Sequence, residues 1–332
     1  MLEPQRALLA SLPTPLIPLE RLGRELGGAQ LWLKRDDLTG LELSGNKVRK
    51  LEYVAADALA AGCDTLVTEG TPQSNHCRAT AAVCARLGLH CVLLFRPAAS
   101  SSPQGNHLLD VLFGAQIRSY SRAEFTPGRE RIVAEVLAEL KANGRTPRWT
   151  PAGASEPLAC WGYIRAMGEL AEQLPAAGLD SCDIVMAISS GATYAGAVLG
   201  QLVHGLSACR VWAVPVSDDV TYHTASVSTL CLAAVERYDL PVEFTTDLLQ
   251  FIPGYVGEGY AIPYRAALEG LQLLARTEAI VLDPVYTAKA FCAVLEAIRA
   301  RRLGFDRPLV FVHTGGVFSD FAWPHLLLEE GL

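Results

Sequence analysis

Short apolar, β-branched runs recur along this chain, each leading through small or polar residues into a stretch with helical spacing of its apolar positions. Thr65-Leu66-Val67-Thr68 passes through Glu69 to Ser74 into a helix expected from about Asn75 to Leu87. His90 to Phe95 is followed by the Ser/Pro-rich loop Ala98 to Gln104 and a helix from near Gln104 to Phe113. Gln116 to Tyr120 precedes a helix from Glu130 to Lys141. Ile184 to Ile188 gives way at Ser189–Thr193 to a helix from Tyr194 to His204, and Val211–Val216 and Leu309–Val312 are two further strands. Val48 to Ala61 has the same helical character. Strands alternating with helices predict an α/β protein with mostly parallel sheets, and in such folds ligands sit in the turns after strands.

At 332 residues the chain is long enough for one large or two medium domains, and two α/β lobes suit this length better than one. Half of the residues are hydrophobic and 19% are charged, which excludes a disordered chain. The net charge of −7 and the lack of a basic stripe argue against nucleic-acid binding. No apolar run approaches the roughly 20 residues of a membrane helix, so no membrane partner is expected. Glu3, Arg6 and the prolines at 13, 15 and 18 make a poor signal peptide. Nine cysteines without a C-x-x-C pair point to reduced thiols and a cytoplasmic protein, and seven scattered histidines predict no metal site.

Chemistry concentrates in a few turns. Ser44-Gly45-Asn46-Lys47 places a lysine at the start of a helix, where the dipole favours a neutral amine able to form a Schiff base with an aldehyde; Arg49 and Lys50 add charge suited to an anion such as phosphate. Ser74-Asn75-His76 follows a strand and opens a helix, which suits either a carboxylate or plain capping by Ser74. Ser189 to Gly196 is a second anion cradle of small residues. A dinucleotide site is its competitor, with Asp218 placed to read a ribose; yet G-x-G-x-x-G is absent, since only Gly191 and Gly196 are glycine. Tyr260, Tyr286 and the His313-Thr314-Gly315-Gly316 exit offer hydroxyls whose ordinary reading is packing.

In this order the pieces resemble one family, the pyridoxal-phosphate enzymes of the tryptophan-synthase β type, in the 1-aminocyclopropane-1-carboxylate deaminase/D-cysteine desulfhydrase branch. The resemblance rests on Leu31–Leu38 with Ser44–Leu51, on Gln73–Arg78, on Leu282–Thr287 and on His313–Gly316, and runs from about Pro13 to Gly316. It implies fold type II: a large cofactor-binding domain of residues 1–44 and 161–332, a small domain of residues 45–160, and a homodimer. It implies further that Lys47 carries pyridoxal 5′-phosphate and that Lys50 with the backbone of Gly191, Ala192 and Thr193 holds the phosphate. Asn75 would face the ring's 3′-oxygen and Thr314 the ring nitrogen. Ser74 and the amides of Asn75 and His76 would receive the carboxylate of a small amino acid, with Tyr260 and Tyr286 against the substrate.

Within that branch the deaminase pattern has glutamate after the tyrosine, where this chain has Thr287. An uncharged partner makes a weaker electron sink, which suits β-elimination from D-cysteine better than cyclopropane opening. Departures from the pattern are Ala192 for a glycine, Tyr194 for histidine or glutamine, and Gly153-Ala154-Ser155-Glu156 for Gly-Gly-Ser-Asn. L-Cysteate sulfo-lyase is the near alternative, against which a Glu156 bordering the substrate would count. A nicotinamide-dependent oxidoreductase is the alternative from another class, and it leaves Lys47 unexplained.

Overall fold

The computed structural model describes residues 2–97 and 102–328. Among the described residues the ten strands, in chain order, are β1 (Leu16–Pro18), β2 (Leu31–Lys34), β3 (Thr65–Gly70), β4 (His90–Phe95), β5 (Gln116–Ser119), β6 (Pro147–Trp149), β7 (Asp183–Ile188), β8 (Arg210–Pro215), β9 (Gln250–Phe251) and β10 (Leu309–Val312). They form a six-stranded sheet of order β1-β2-β10-β7-β8-β9 and a four-stranded sheet of order β5-β4-β3-β6. Every pairing is parallel except β1 with β2. The smaller sheet uses only residues between 65 and 149, whereas the larger one joins the two ends of the chain.

The strands of the larger sheet read as unbroken apolar runs because both faces are covered. Ile184, Met186, Ile188, Val310 and Val312 pack on one side, and Val185, Leu31, Leu33, Leu309 and Phe311 on the other. On the first side the helices Trp161–Ala176 and Ala192–Val203 press together. A Cβ on Gly196 would collide with the Cys160 carbonyl, and one on Gly200 would stand 2.7 Å from Met167 Cβ. Gly196 therefore serves close helix packing.

Expected strands and helices recur, with shifted ends. The helix expected from Glu130 starts at Arg122, capped by Ser121 Oγ, with Pro127 inside it. Pro127 and Gly128 look like breakers in sequence, but burial of Phe125, Ile132 and Val136 outweighs their cost. The helices expected from Val48 and Tyr194 begin two residues earlier, at Asn46 and Ala192. Helices at Trp161–Ala176, Val220–Tyr238, Arg265–Glu278 and Thr287–Arg299 add to the strand–turn–helix reading. Of the expected loop at 98–104, residues 98–101 lie outside the described residues.

Arg49 has a structural role, not the anion-binding one its sequence position suggests. Its guanidinium is buried and donates to Asp36 at 2.8 and 2.9 Å and to Glu169 at 2.8 and 2.9 Å. Asp36 also accepts from Tyr163 Oη at 2.6 Å and from Thr14 Oγ1 at 2.7 Å. Although burial alone would raise the Asp36 carboxyl, Arg49 holds it below its ordinary value. This network ties the helix Asn46–Ala60 to the end of β2 and to the helix Trp161–Ala176. It fixes where Lys47 stands.

Candidate active site

Lys47 is the second residue of the helix Asn46–Ala60, which starts from Gly45 at φ 101° with no side-chain cap. The bend is enforced by packing: Asn46 N donates to the Thr314 carbonyl at 3.0 Å, and a Cβ on Gly45 would lie 2.7 Å from the same oxygen. Lys47 lines two adjoining cavities, the concave setting expected of a small-molecule site. Burial is the main cause that brings its amine down to about 8, against the opposing pull of a Lys50 hydrogen bond and the Asp283 charge. Burial thus shifts the amine towards the neutral form, an effect that the sequence reading attributed to the helix dipole.

The smaller cavity lies over the carboxyl end of β7 and is bounded by Asn75, Ser189–Gly191, Thr193, Tyr286 and Thr314. Gly191 caps the helix Ala192–Val203 at φ 97° without a side chain, so the first-turn amides of that helix have no intrahelical or side-chain acceptor. Thr193 Oγ1 accepts from Asn46 Nδ2 at 2.8 Å, joining this cradle to the residue before Lys47. Bare amides at a helix N-terminus fit a phosphate, a neutral lysine fits an aldehyde, and the Asn75 and Thr314 side chains fit a polar ring between them. Pyridoxal phosphate suits this donor set. No carboxylate lines the cavity among the described residues.

The larger cavity adjoins it at the ends of β3 and β4 and is lined by Ser74, His76, Arg96, Tyr260 and Tyr286, among others. Ser74 is the N-cap of the helix Asn75–Leu87, and its Oγ accepts from Cys77 N at 3.2 Å. The amides of Asn75 and His76 precede that capped position and have no intrahelical acceptor. The buried His76 ring has a fixed tautomer. Thr68 Oγ1 gives its hydrogen to the Thr150 carbonyl at 2.8 Å, so His76 Nε2 donates to Thr68 at 2.8 Å. Burial, with the Lys47 and Lys50 charges, keeps this imidazole neutral.

The Tyr260 and Tyr286 hydroxyls are in mutual hydrogen-bond contact. Burial raises both phenols, so both keep their protons near neutrality. Tyr286 is aimed by Asp283, whose carboxylate accepts from the amides of Val285, Tyr286 and Thr287 at 3.1, 3.0 and 2.9 Å. Tyr260 is held through Lys289, whose amine donates to the Val256 and Gly259 carbonyls at 2.7 and 2.9 Å. No local motif marks Lys289, because its partners lie 33 and 30 residues away.

The structure brings together Lys47, Ser74, Asn75, His76, Gly191, Thr193, Tyr260, Tyr286 and Thr314. Ala192 lies in the cradle by its backbone alone. Lys50 lines neither cavity; its amine meets that of Lys47 and donates to the Gly153 carbonyl. Thr287 is buried and hydrogen-bonded to Asp283 Oδ1 at 2.7 Å. Glu156 pairs with Arg148 at 3.0 Å, while Trp161 packs in the core against Tyr53 and Tyr238. Neither Glu156 nor Trp161 lines either of these two cavities, so the objection to a sulfonate substrate drawn from Glu156 lapses, although the carboxylates of Glu69 and Asp218 do line the larger one.

Known proteins place this geometry. A family model described as pyridoxal-phosphate dependent enzyme matches residues 8–315. The D-cysteine desulfhydrases of Salmonella newport (strain SL254) and Salmonella heidelberg (strain SL476) are each 38% identical over 328 residues, spanning 97% of this chain and 97% of theirs. The crystal structure of an ACC deaminase homologue superposes with a TM-score of 0.88 at 34% identity, covering 98% of this chain and 96% of the other. O-Ureido-L-serine synthase, at 15% identity and a TM-score of 0.68, shares the fold, with 96% and 94% covered. A nicotinamide-dependent role is thereby set aside. The chain belongs to the pyridoxal-phosphate dependent enzymes, in their 1-aminocyclopropane-1-carboxylate deaminase/D-cysteine desulfhydrase branch.

Proposed function

We propose that this protein is a carbon–sulfur lyase that removes the β-substituent of a small amino acid, D-cysteine foremost, to give pyruvate, sulfide and ammonia. The observation that carries the choice of elimination is the smaller of the two cavities that Lys47 lines, where the described lining residues offer hydroxyls and amides but no carboxylate; Glu69 and Asp218 line only the larger one. A ring nitrogen facing Thr314 there meets an uncharged partner. Bound pyridoxal phosphate delocalises the electron pair left at the substrate's α-carbon.

The chain's residues do the rest. The amides of Gly191, Ala192 and Thr193 hold the phosphate, Asn75 meets the 3′-oxygen, and Lys47 Nζ takes the α-proton. Lys50 is left out of the phosphate set, since its amine is turned to Gly153. Ser74 Oγ and the Asn75 and His76 amides hold the substrate carboxylate. Tyr260 and Tyr286, protonated and hydrogen-bonded to each other, keep a proton at Oη beside the β-substituent. Division into a large domain of residues 1–44 and 161–332 and a small one of 45–160 belongs to the same proposal. Its support is that each sheet falls wholly on one side of those boundaries. Homodimeric assembly and a cytoplasmic setting complete it; nine unpaired cysteines suit a reducing compartment.

A product assay over D- and L-cysteine, L-cysteate and 1-aminocyclopropane-1-carboxylate tests this reading. Sulfide and pyruvate form fastest from D-cysteine. Dominant 2-oxobutyrate from the cyclopropane contradicts it. L-Cysteate is the second reading because Arg96 lines the larger cavity, where it shares the lining with Glu69, its ion-pair partner at 4.0 Å, and Asp218; sulfite released faster than sulfide would favour it.

A further inference from the structure

We infer that Arg78, acting through Asn106, dictates which atom of the Asn75 amide faces the cofactor cavity, making Arg78 and Asn106 positioning residues for the reaction. Arg78 is buried one turn after Asn75, and its Nε donates to the Asn106 side chain at 3.2 Å. A guanidinium has donors and no acceptor, so the Asn106 atom it meets is the oxygen. The amide nitrogen of Asn106 lies 2.9 Å from the Gln73 carbonyl, which only accepts. Two separate anchors thus give Asn106 the same orientation. That nitrogen also stands 2.9 Å from the Asn75 side chain, whose facing atom is therefore Oδ1.

With Oδ1 committed to Asn106, Asn75 has its Nδ2 hydrogens left for another partner, and it lines the smaller cavity. Turning the amide over would set two N–H groups against each other. The side chain is locked as a donor, matched to an anionic oxygen. Arg78 Nη2 donates to the Ser44 carbonyl at 2.8 Å and Nη1 to the Glu42 carbonyl, so one guanidinium braces this amide and the turn leading to Lys47. Neither Arg78 nor Asn106 lines either cavity.

This inference rests on the reading that the ring's 3′-oxygen meets Asn75. Its test is the absorbance of the cofactor-loaded protein at one fixed pH, where a donor to the 3′-oxygen favours the ionised, visible-absorbing form over the near-ultraviolet one. Asn106→Asp replaces the amide nitrogen with an acceptor, which turns Asn75 over and lowers the visible-to-ultraviolet ratio about tenfold. Asn106→Ser, neutral and too short to reach Asn75, lowers it in the same direction and serves if the aspartate variant fails to fold. In an Asn75→Ala background, neither substitution lowers the ratio further. An unchanged ratio in the single variants overturns the inference, and so does a drop that persists without Asn75, which would mean charge or folding acts instead. A wild-type protein that develops no visible band with pyridoxal phosphate sinks the functional reading and this inference together.

Discussion

Two strand-to-helix turns face each other across Lys47, and they differ in how their helix begins. After β3, Ser74 caps the helix Asn75–Leu87 and satisfies the Cys77 amide itself. After β7, Gly191 caps the helix Ala192–Val203 with nothing but backbone. A turn that spends one amide on its own serine keeps two amides and a hydroxyl, a set matched to a carboxylate. A turn without a side chain admits a bulkier, more highly charged phosphate against several bare amides. The same local geometry therefore gives two anion sites of different character, and the lysine amine between them reaches both cavities.

The largest effect comes from removing what the turns share. Lys47→Ala leaves both helix starts intact and lowers elimination by about 1,000-fold or more, the loss expected of a group that both binds the cofactor and moves a proton. Steady-state pyruvate release measures it, and an activity within tenfold of wild type would break the scheme. Next is Gly191→Val. A β-carbon there is strained at φ 97° and lies 3.2 Å from Leu230 Cδ1, so cofactor affinity falls about 10- to 100-fold. Fluorescence titration with pyridoxal phosphate reads this loss, while KM for the amino acid in the saturated enzyme stays near wild type.

The Lys47 amine gives the third prediction. Only its neutral form attacks an aldehyde, and its value of about 8 means that this form dominates above that pH. Uptake of cofactor by the stripped protein accelerates about tenfold per pH unit up to about 8 and then levels off. Stopped-flow absorbance follows it; a rate still climbing towards the ordinary lysine value of about 10.4 would show that burial leaves the amine unchanged. Smallest is Ser74→Ala, which costs about 1 kcal/mol of stability as a lost cap. If Ser74 also holds the carboxylate, KM for D-cysteine rises about five- to tenfold as well. An unchanged KM beside a lower melting temperature reduces Ser74 to a cap.

Both turns were legible in the sequence because strand, small-residue turn and helix are contiguous there, and Lys47 was legible for the same reason. Arg49 was not. Three basic residues within one turn of helix look alike until Asp36 and Glu169, 13 and 120 residues away, claim one of them and Gly153 claims another. Lys289 and Asn106 escaped notice because each acts on a segment brought near only by the fold. The start of the helix Arg122–Ala142 was hidden by Pro127 and Gly128, whose local cost is outweighed by packing against the smaller sheet. Local chemistry can be read along the chain, but counter-charges and braces cannot.

The central claim is that Lys47, between the two turns, is the attachment point of the cofactor. Incubating the protein with pyridoxal phosphate, reducing with borohydride and mapping the peptides by mass spectrometry tests it directly. The account predicts loss of the visible band and a single pyridoxyl-phosphate adduct on Lys47, absent in Lys47→Ala. An adduct on Lys50 or Lys289 with Lys47 unmodified would contradict it.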